Sequence, residues 1–252
     1  MRERVYARNL LGHKALARKP PGGDHLLRKP RPEPLLEKYY NALWAAYGPQ
    51  HWWPGRTAFE VIIGAILTQN TSWNNVVPAI ANLRRERLLT PRAFEGVPVG
   101  RLARLIRSTG YFRQKARKLQ AFVGFLRLQY GGSLAKMFRT PTSILRPQLL
   151  AVYGIGPETA DSILLYAGSH PVFVVDAYTR RILERHGLAG PRYSYEEIRA
   201  LFESSLPADV SLYNEFHALM VNTGKHYCHA GEPRCRECPL ESLLPSKTAL
   251  NL

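Results

Sequence analysis

Gly154-Ile155-Gly156-Pro157-Glu158-Thr159-Ala160, followed after a short apolar stretch by Val174-Val175-Asp176-Ala177-Tyr178-Thr179-Arg180, decides the fold. Gly154 and Gly156 permit positive φ and close backbone approach, so consecutive N–H groups can converge on a phosphate oxygen at a helix N-terminus near Pro157. Proline suits that first helical position. Leu149, Leu150 and Val152 before the turn, with Ile163, Leu164 and Leu165 after it, give apolar faces to two helices joined by a tight turn. This is a helix-hairpin-helix, an arrangement that serves DNA contact or plain helix packing. Beyond it stands one isolated carboxylate, Asp176. It can cap the helix expected over Ala177 to Arg185, and the same group can also serve a reaction.

Together these residues resemble the helix-hairpin-helix DNA glycosylases of the endonuclease III superfamily. The resemblance spans about residues 35 to 240. It implies that Gly154, Ile155, Gly156, Glu158 and Thr159 grip the DNA strand and that Asp176 serves the scissile glycosidic bond. Bifunctional members carry a lysine two residues after the second glycine, eighteen positions before the aspartate; here that position is Glu158. The lysine forms a Schiff base with the sugar, which a carboxylate cannot do. A monofunctional mechanism follows, in which Asp176 stabilises oxocarbenium character, orients or deprotonates water, and leaves an abasic site.

A chain of 252 residues is long enough to bury a full core. Its 35 Lys and Arg against 19 Asp and Glu give a net charge of +16 and a pI near 10.1, which favours polyanionic partners. No apolar run approaches the length of a membrane span, so nucleic acid is preferred to a membrane surface. Residues 1–32 are rich in Arg and Lys around Pro20-Pro21-Gly22-Gly23 and read as a disordered tail: a DNA-binding arm, a solvated tail or a mis-assigned start. No secretory signal is read there, and a cytoplasmic, nucleoid-associated protein is expected.

Beyond Pro34 helical spacing dominates. It is plain over Leu35 to Tyr47, Ala58 to Leu67, Asn74 to Arg87, Val99 to Ser108, Gln114 to Tyr130, Asp161 to Tyr166, Tyr178 to His186, Tyr195 to Leu206 and Val210 to Thr223. An all-α fold is expected. The resemblance implies two helical domains flanking a DNA-binding cleft: a six-helix barrel over residues 55–169 ending in the hairpin, and a discontinuous domain from residues 33–54 plus 170–252.

The apolar run Phe59 to Leu67 ends abruptly at Thr68-Gln69-Asn70-Thr71. Such an ending places Gln69, Asn70 and Thr71 at a helix terminus. There they either cap and turn the chain or face DNA. The resemblance implies that Gln69 fills the gap left by a base rotated out of the stack, a rotation needed because the glycosidic bond is poorly accessible in duplex. Before that run, Trp52-Trp53-Pro54 resembles the base-pocket tripeptide of the 3-methyladenine branch. Purines alkylated at N3 or N7 are cationic, and an indole face attracts such a ring by roughly 1 to 2 kcal/mol. Lys115 and Lys118 are either phosphate contacts or part of a solvated basic face.

The three cysteines cluster as Cys228-x6-Cys235-x2-Cys238, similar to the first three ligands of the iron-sulfur loop in many endonuclease III relatives. The fourth ligand position, with five residues between it and Cys238, is Leu244. Four outcomes stay open: a lost cluster, a cluster with a non-cysteine fourth ligand, zinc on three thiolates with His226 or His229, or a disulfide. The site would position a loop carrying Arg234 and Arg236 on DNA, and the chemistry would need no cofactor.

The resulting expectation is a monomeric, monofunctional DNA glycosylase of base excision repair acting on double-stranded DNA with a damaged base, an alkylated purine such as 3-methyladenine. The alternatives are an endonuclease III-like glycosylase with lyase activity on oxidised pyrimidines and a non-catalytic DNA-binding module.

Overall fold

The computed structural model describes residues 35–50, 52 and 55–245. The basic segment 1–32, Trp53 and Pro54 lie outside the described residues. The described chain is helical, with no strand among those residues, as the spacing predicts. Its helices are α1 Leu35–Tyr47, α2 Ala58–Leu67, α3 Trp73–Arg85, α4 Pro91–Phe94, α5 Val99–Leu105 and α6 Phe112–Tyr130. They continue with α7 Leu134–Met137, α8 Thr142–Leu150, α9 Pro157–Ser162, α10 Ala177–Arg185, α11 Tyr195–Ser205 and α12 Val210–His226.

Side chains at the helix ends account for several boundaries. Thr57 accepts from the Glu60 N–H to start α2, and Asp209 accepts from Leu212 N–H to start α12. Ser194 and Glu197 exchange bonds as a capping box at α11. Gly131, at φ 61°, closes α6 in the left-handed conformation. No helix is long and apolar enough to cross a membrane among the described residues.

Two hydrophobic cores organise these helices. The first is built from residues between Phe59 and Val172, with α2 at its centre: every residue from Phe59 to Leu67 is buried. Apart from Glu60, which pairs with Arg84, α2 is apolar on all sides, and such a helix is stable only when wrapped by others. The second core joins Leu36, Tyr39 and Leu43 of α1 to Leu165 and to residues from Phe173 to Leu240. There Phe173 stacks on Phe202 with centroids 3.7 Å apart, and Phe216 meets both rings edge-on. Burying one such ring is worth about 3–5 kcal/mol against alanine.

The link between the cores is a single π-helical turn, Ile163–Ala167, continuing α9. Ile163 and Leu164 enter the first core and Leu165 the second. The wider turn changes the direction of successive side chains, as such turns often do at functional sites.

Several boundaries differ from the spacing. The helix expected from Asp161 begins at Pro157 and turns π-helical at Ile163. The one expected over Val99 to Ser108 ends at Leu105 and passes into a 3₁₀ turn, Arg107–Thr109. Pro147 lies inside α8, which disguises that helix.

Candidate active site

The hairpin lies between α8 and α9. Gly154 has φ +79°, and a Cβ there would stand 2.4 Å from Cγ of Lys118, so both the backbone and the packing require glycine. Gly156 departs from the expectation of positive φ: it sits at φ −94°, extended, as the N-cap before Pro157. Its Cα face is open, and a Cβ at that position would meet nothing within 4 Å. Ile155 between them is buried in the first core and anchors the turn.

The end of α2 is bolted to this turn. Gln69 Nε2 donates to Gly154 O at 3.0 Å and to Thr159 Oγ1 at 2.9 Å, and Lys118 Nζ donates to Gln69 Oε1 at 2.5 Å. The Gln69 amide is thus committed to partners within the protein. Asn70 is exposed in the left-handed region at φ 52°, and Thr71 Oγ1 accepts from Asn75. Lys115 is neither a surface phosphate contact nor part of a solvated face. It is 2% exposed, donates to Leu67 O and Thr109 O, and burial lowers its pKa to about 8.

Asp176 is the N-cap of α10, and its two oxygens face different partners. Oδ1 accepts from the Thr179 N–H at 2.8 Å, while Oδ2 lies 3.8 Å from Nε2 of His217 on α12. Capping uses one oxygen and leaves the second available for another partner.

Glu158 joins the same site. It is open to solvent, yet protein crowds its carboxyl. This crowding, reinforced by the Asp176 charge, pushes its pKa up to about 7. Read from sequence as part of the DNA-gripping hairpin, Glu158 is electrostatically coupled to Asp176 in the fold. The two carboxyls also act together on Tyr166 of the π turn, whose pKa is raised well above 10 by burial and then by Asp176.

Two buried groups behind Asp176 carry no sequence signal. Tyr166 and His217 form a hydrogen bond between the hydroxyl and Nδ1 at 2.5 Å. Burial holds the His217 pKa below 6.5, with Asp176 opposing. Trp52, half-buried, stands beside the Tyr166 hydroxyl, and Lys225 Nζ lies 5.4 Å over its ring. Trp52 thereby reaches the surroundings of Asp176.

A further set of charges fixes the hairpin helix. Asp161, fully buried on α9, receives both Nε and Nη2 of Arg146 at 2.7 and 3.0 Å, and Arg199 of α11 approaches it at 3.8 Å. This pairing ties α8, α9 and α11 together next to Val175, whose N–H donates to Tyr195.

The cysteine loop is separate. Cys228, Cys235 and Cys238 are free thiols lining one cavity of about 20 Å³ with Leu240, Glu241 and Leu244. That is room for about one water. Arg185 donates to Cys228 Sγ at 3.1 Å. No group of three or more His, Cys, Asp or Glu side chains converges as a metal site among the described residues. His226 and His229 do not line the cavity. As they stand, the three thiols do not form a metal site, and apolar Leu244 occupies the fourth position of the cysteine pattern.

Residues 63–208 match the family described as HhH-GPD superfamily base excision DNA repair protein. The chain is 44% identical over 215 residues to "Putative DNA repair glycosylase MJ1434" of Methanocaldococcus jannaschii, spanning 84% of this chain and 97% of that protein. A non-covalent endonuclease III–DNA complex superposes with a TM-score of 0.73 at 25% identity, covering 86% of this chain and 97% of that one. The 3-methyladenine DNA glycosylase of H. pylori bound to 1,N6-ethenoadenine gives 0.65 at 28% identity, covering 75% and 96%. With its hairpin and isolated aspartate, the chain belongs to the HhH-GPD superfamily of base excision DNA repair proteins and is a DNA N-glycosylase.

Proposed function

We propose that the enzyme is monofunctional: it hydrolyses the N-glycosidic bond of a flipped, damaged base and leaves an abasic site. The observation that carries this is that a carboxylate, Glu158, stands at the hairpin position where bifunctional members carry lysine, electrostatically coupled to Asp176. In this reading the Asp176 carboxylate stabilises positive charge developing at the sugar. Glu158 accepts a proton from the attacking water as its oxygen bonds to C1′. The C1′–N bond breaks, and the base departs with the bonding electron pair. A general base whose pKa lies near the working pH is effective at both accepting and releasing a proton. No lysine amine stands at the Glu158 position to form an imine.

Gly154, Ile155, Gly156 and Thr159 hold the strand through the hairpin in this proposal, and Asn70 and Thr71 face the DNA from the end of α2. The two cores support a division into a discontinuous domain, residues 33–54 plus 170–252, and a barrel over residues 55–169, with DNA between them. The enzyme acts as a monomer. An iron-sulfur cluster on Cys228, Cys235 and Cys238 would need both a rearranged loop and a fourth ligand from outside the thiol set. A visible absorption spectrum with elemental analysis tests that point.

For the base, the position of Trp52 and the likeness to the H. pylori enzyme support an alkylated purine such as 3-methyladenine. One observation favours a second reading. The Lys225 ammonium lies over Trp52 and repels a cationic base, which favours a neutral lesion. Incubation with methylated, deaminated and oxidised duplexes, followed by mass spectrometry of released bases, separates the two. Release of 3- or 7-methylpurines supports the first reading, and release of only neutral bases the second. Loss of all release in Asp176→Asn supports the assigned chemistry, whereas DNA binding without release by wild type points to a non-catalytic module.

A further inference from the structure

We propose that His217 is a positioning residue: it donates a hydrogen bond from Nε2 to Asp176 Oδ2, and Tyr166 sets the tautomer that makes this possible. The inference rests on the catalytic reading of Asp176.

His217 is 4% exposed, midway along α12, the helix most closely packed against α10, whose N-cap is Asp176. Its Nδ1 is engaged by the Tyr166 hydroxyl at 2.5 Å. Its Nε2 is buried without a hydrogen-bond partner and points at Asp176 Oδ2, 3.8 Å away. A buried nitrogen in that state costs free energy until it is satisfied, and the facing carboxylate oxygen is the available acceptor.

Donor and acceptor roles determine the direction of the chain. An ionised carboxylate can only accept, so the imidazole nitrogen that faces Asp176 Oδ2 is the one that carries the proton. Tyr166, kept protonated by burial, then donates its own proton to His217 Nδ1. A neutral imidazole whose Nδ1 accepts must carry its proton on Nε2. That proton faces Asp176. The gap of 3.8 Å exceeds a hydrogen bond by somewhat less than an ångström. Catalytic hydrogen bonds in free enzymes are often long and tighten when substrate binds. Oδ1 is already held by Thr179, so the new bond fixes the second oxygen and with it the plane of the carboxylate.

The test compares His217→Phe, which removes the donor, with His217→Gln, which keeps an N–H near the Nε2 position, and adds Tyr166→Phe and the double variant Tyr166→Phe/His217→Phe. Single-turnover base release is measured alongside DNA Kd and Tm. Nitrogen NMR of the imidazole reports the tautomer. Expected are a loss of about 10²-fold in rate for His217→Phe with Kd unchanged, substantial recovery in His217→Gln, and a double variant no worse than His217→Phe. NMR should place the wild-type proton on Nε2. Equal losses in the Phe and Gln variants that follow Tm, or a proton on Nδ1, would overturn the proposal. Asp176→Asn is run in parallel. Full activity in that variant would defeat the catalytic reading of Asp176, whereas an inactive Asp176→Asn beside fully active His217 variants would defeat this inference alone.

Discussion

Glu158→Gln isolates the proposed general base with little change in volume. The wild-type carboxyl titrates near 7, raised from 4.5 by its crowded surroundings and by Asp176. If its ionised form accepts the proton from water, single-turnover base release rises about tenfold per pH unit below 7 and levels off about one unit above it. Glu158→Gln should abolish that limb and lower the plateau by about 10²- to 10⁴-fold, the range for loss of a positioned base. The same group has a measurable effect on folding. Because folding raises its pKa, Glu158 favours the native state most below about 4.5, and this contribution is lost as pH rises through about 7. Glu158→Gln should therefore gain Tm relative to wild type at alkaline pH and lose that gain in acid. Rapid-quench assays from pH 5 to 9 on one duplex, with Tm at each pH, provide both profiles. A flat wild-type rate profile, or a Gln variant within threefold of wild type at its plateau, would refute the reasoning.

Gly224→Ala should destabilise the protein although alanine is the better helix former by about 1 kcal/mol. The new Cβ would meet the Tyr178 ring at 2.4 Å and push on the first turn after Asp176, so both Tm and base release should fall. Asp161→Ala removes the buried bidentate partner of Arg146, leaves it only the exposed Glu196, and should cost about 1–3 kcal/mol by urea denaturation. Lys225→Met removes the cation over Trp52 and should raise release of 7-methylguanine relative to a neutral lesion when the two are assayed in competition.

The hairpin and Asp176 were legible because their grammar is local: glycine before a proline-led helix, then an aspartate before another helix. The boundaries of α1, α2 and α11 followed from apolar spacing and capping residues. Helix α8 was harder because Pro147 breaks the expected pattern, and α4 and α7 are too short to show a period. The spacing also placed Lys115 on a charged surface. Its long stem instead carries the ammonium to two carbonyls inside the first core.

The deeper part of the site was not legible for a geometric reason. Tyr166 and His217 are 51 residues apart, and their meeting depends on a π turn that no spacing rule predicts. A lone histidine on the apolar face of α12 looks like any core histidine until Asp176 is placed beside it. Lys225 and Trp52 likewise meet only through the packing of α12. The Glu158 substitution was visible, but its coupling to Asp176 required the fold.

The central claim is hydrolysis without an enzyme–sugar imine. It is tested most directly by incubating the enzyme with a duplex whose damaged base it releases, in the presence of borohydride, and scoring strand breaks before and after alkali. The account predicts base release, no trapped protein–DNA adduct, and nicks only after alkali. A borohydride-trapped adduct with nicking before alkali would contradict it and show that a lysine elsewhere in the chain reaches the sugar.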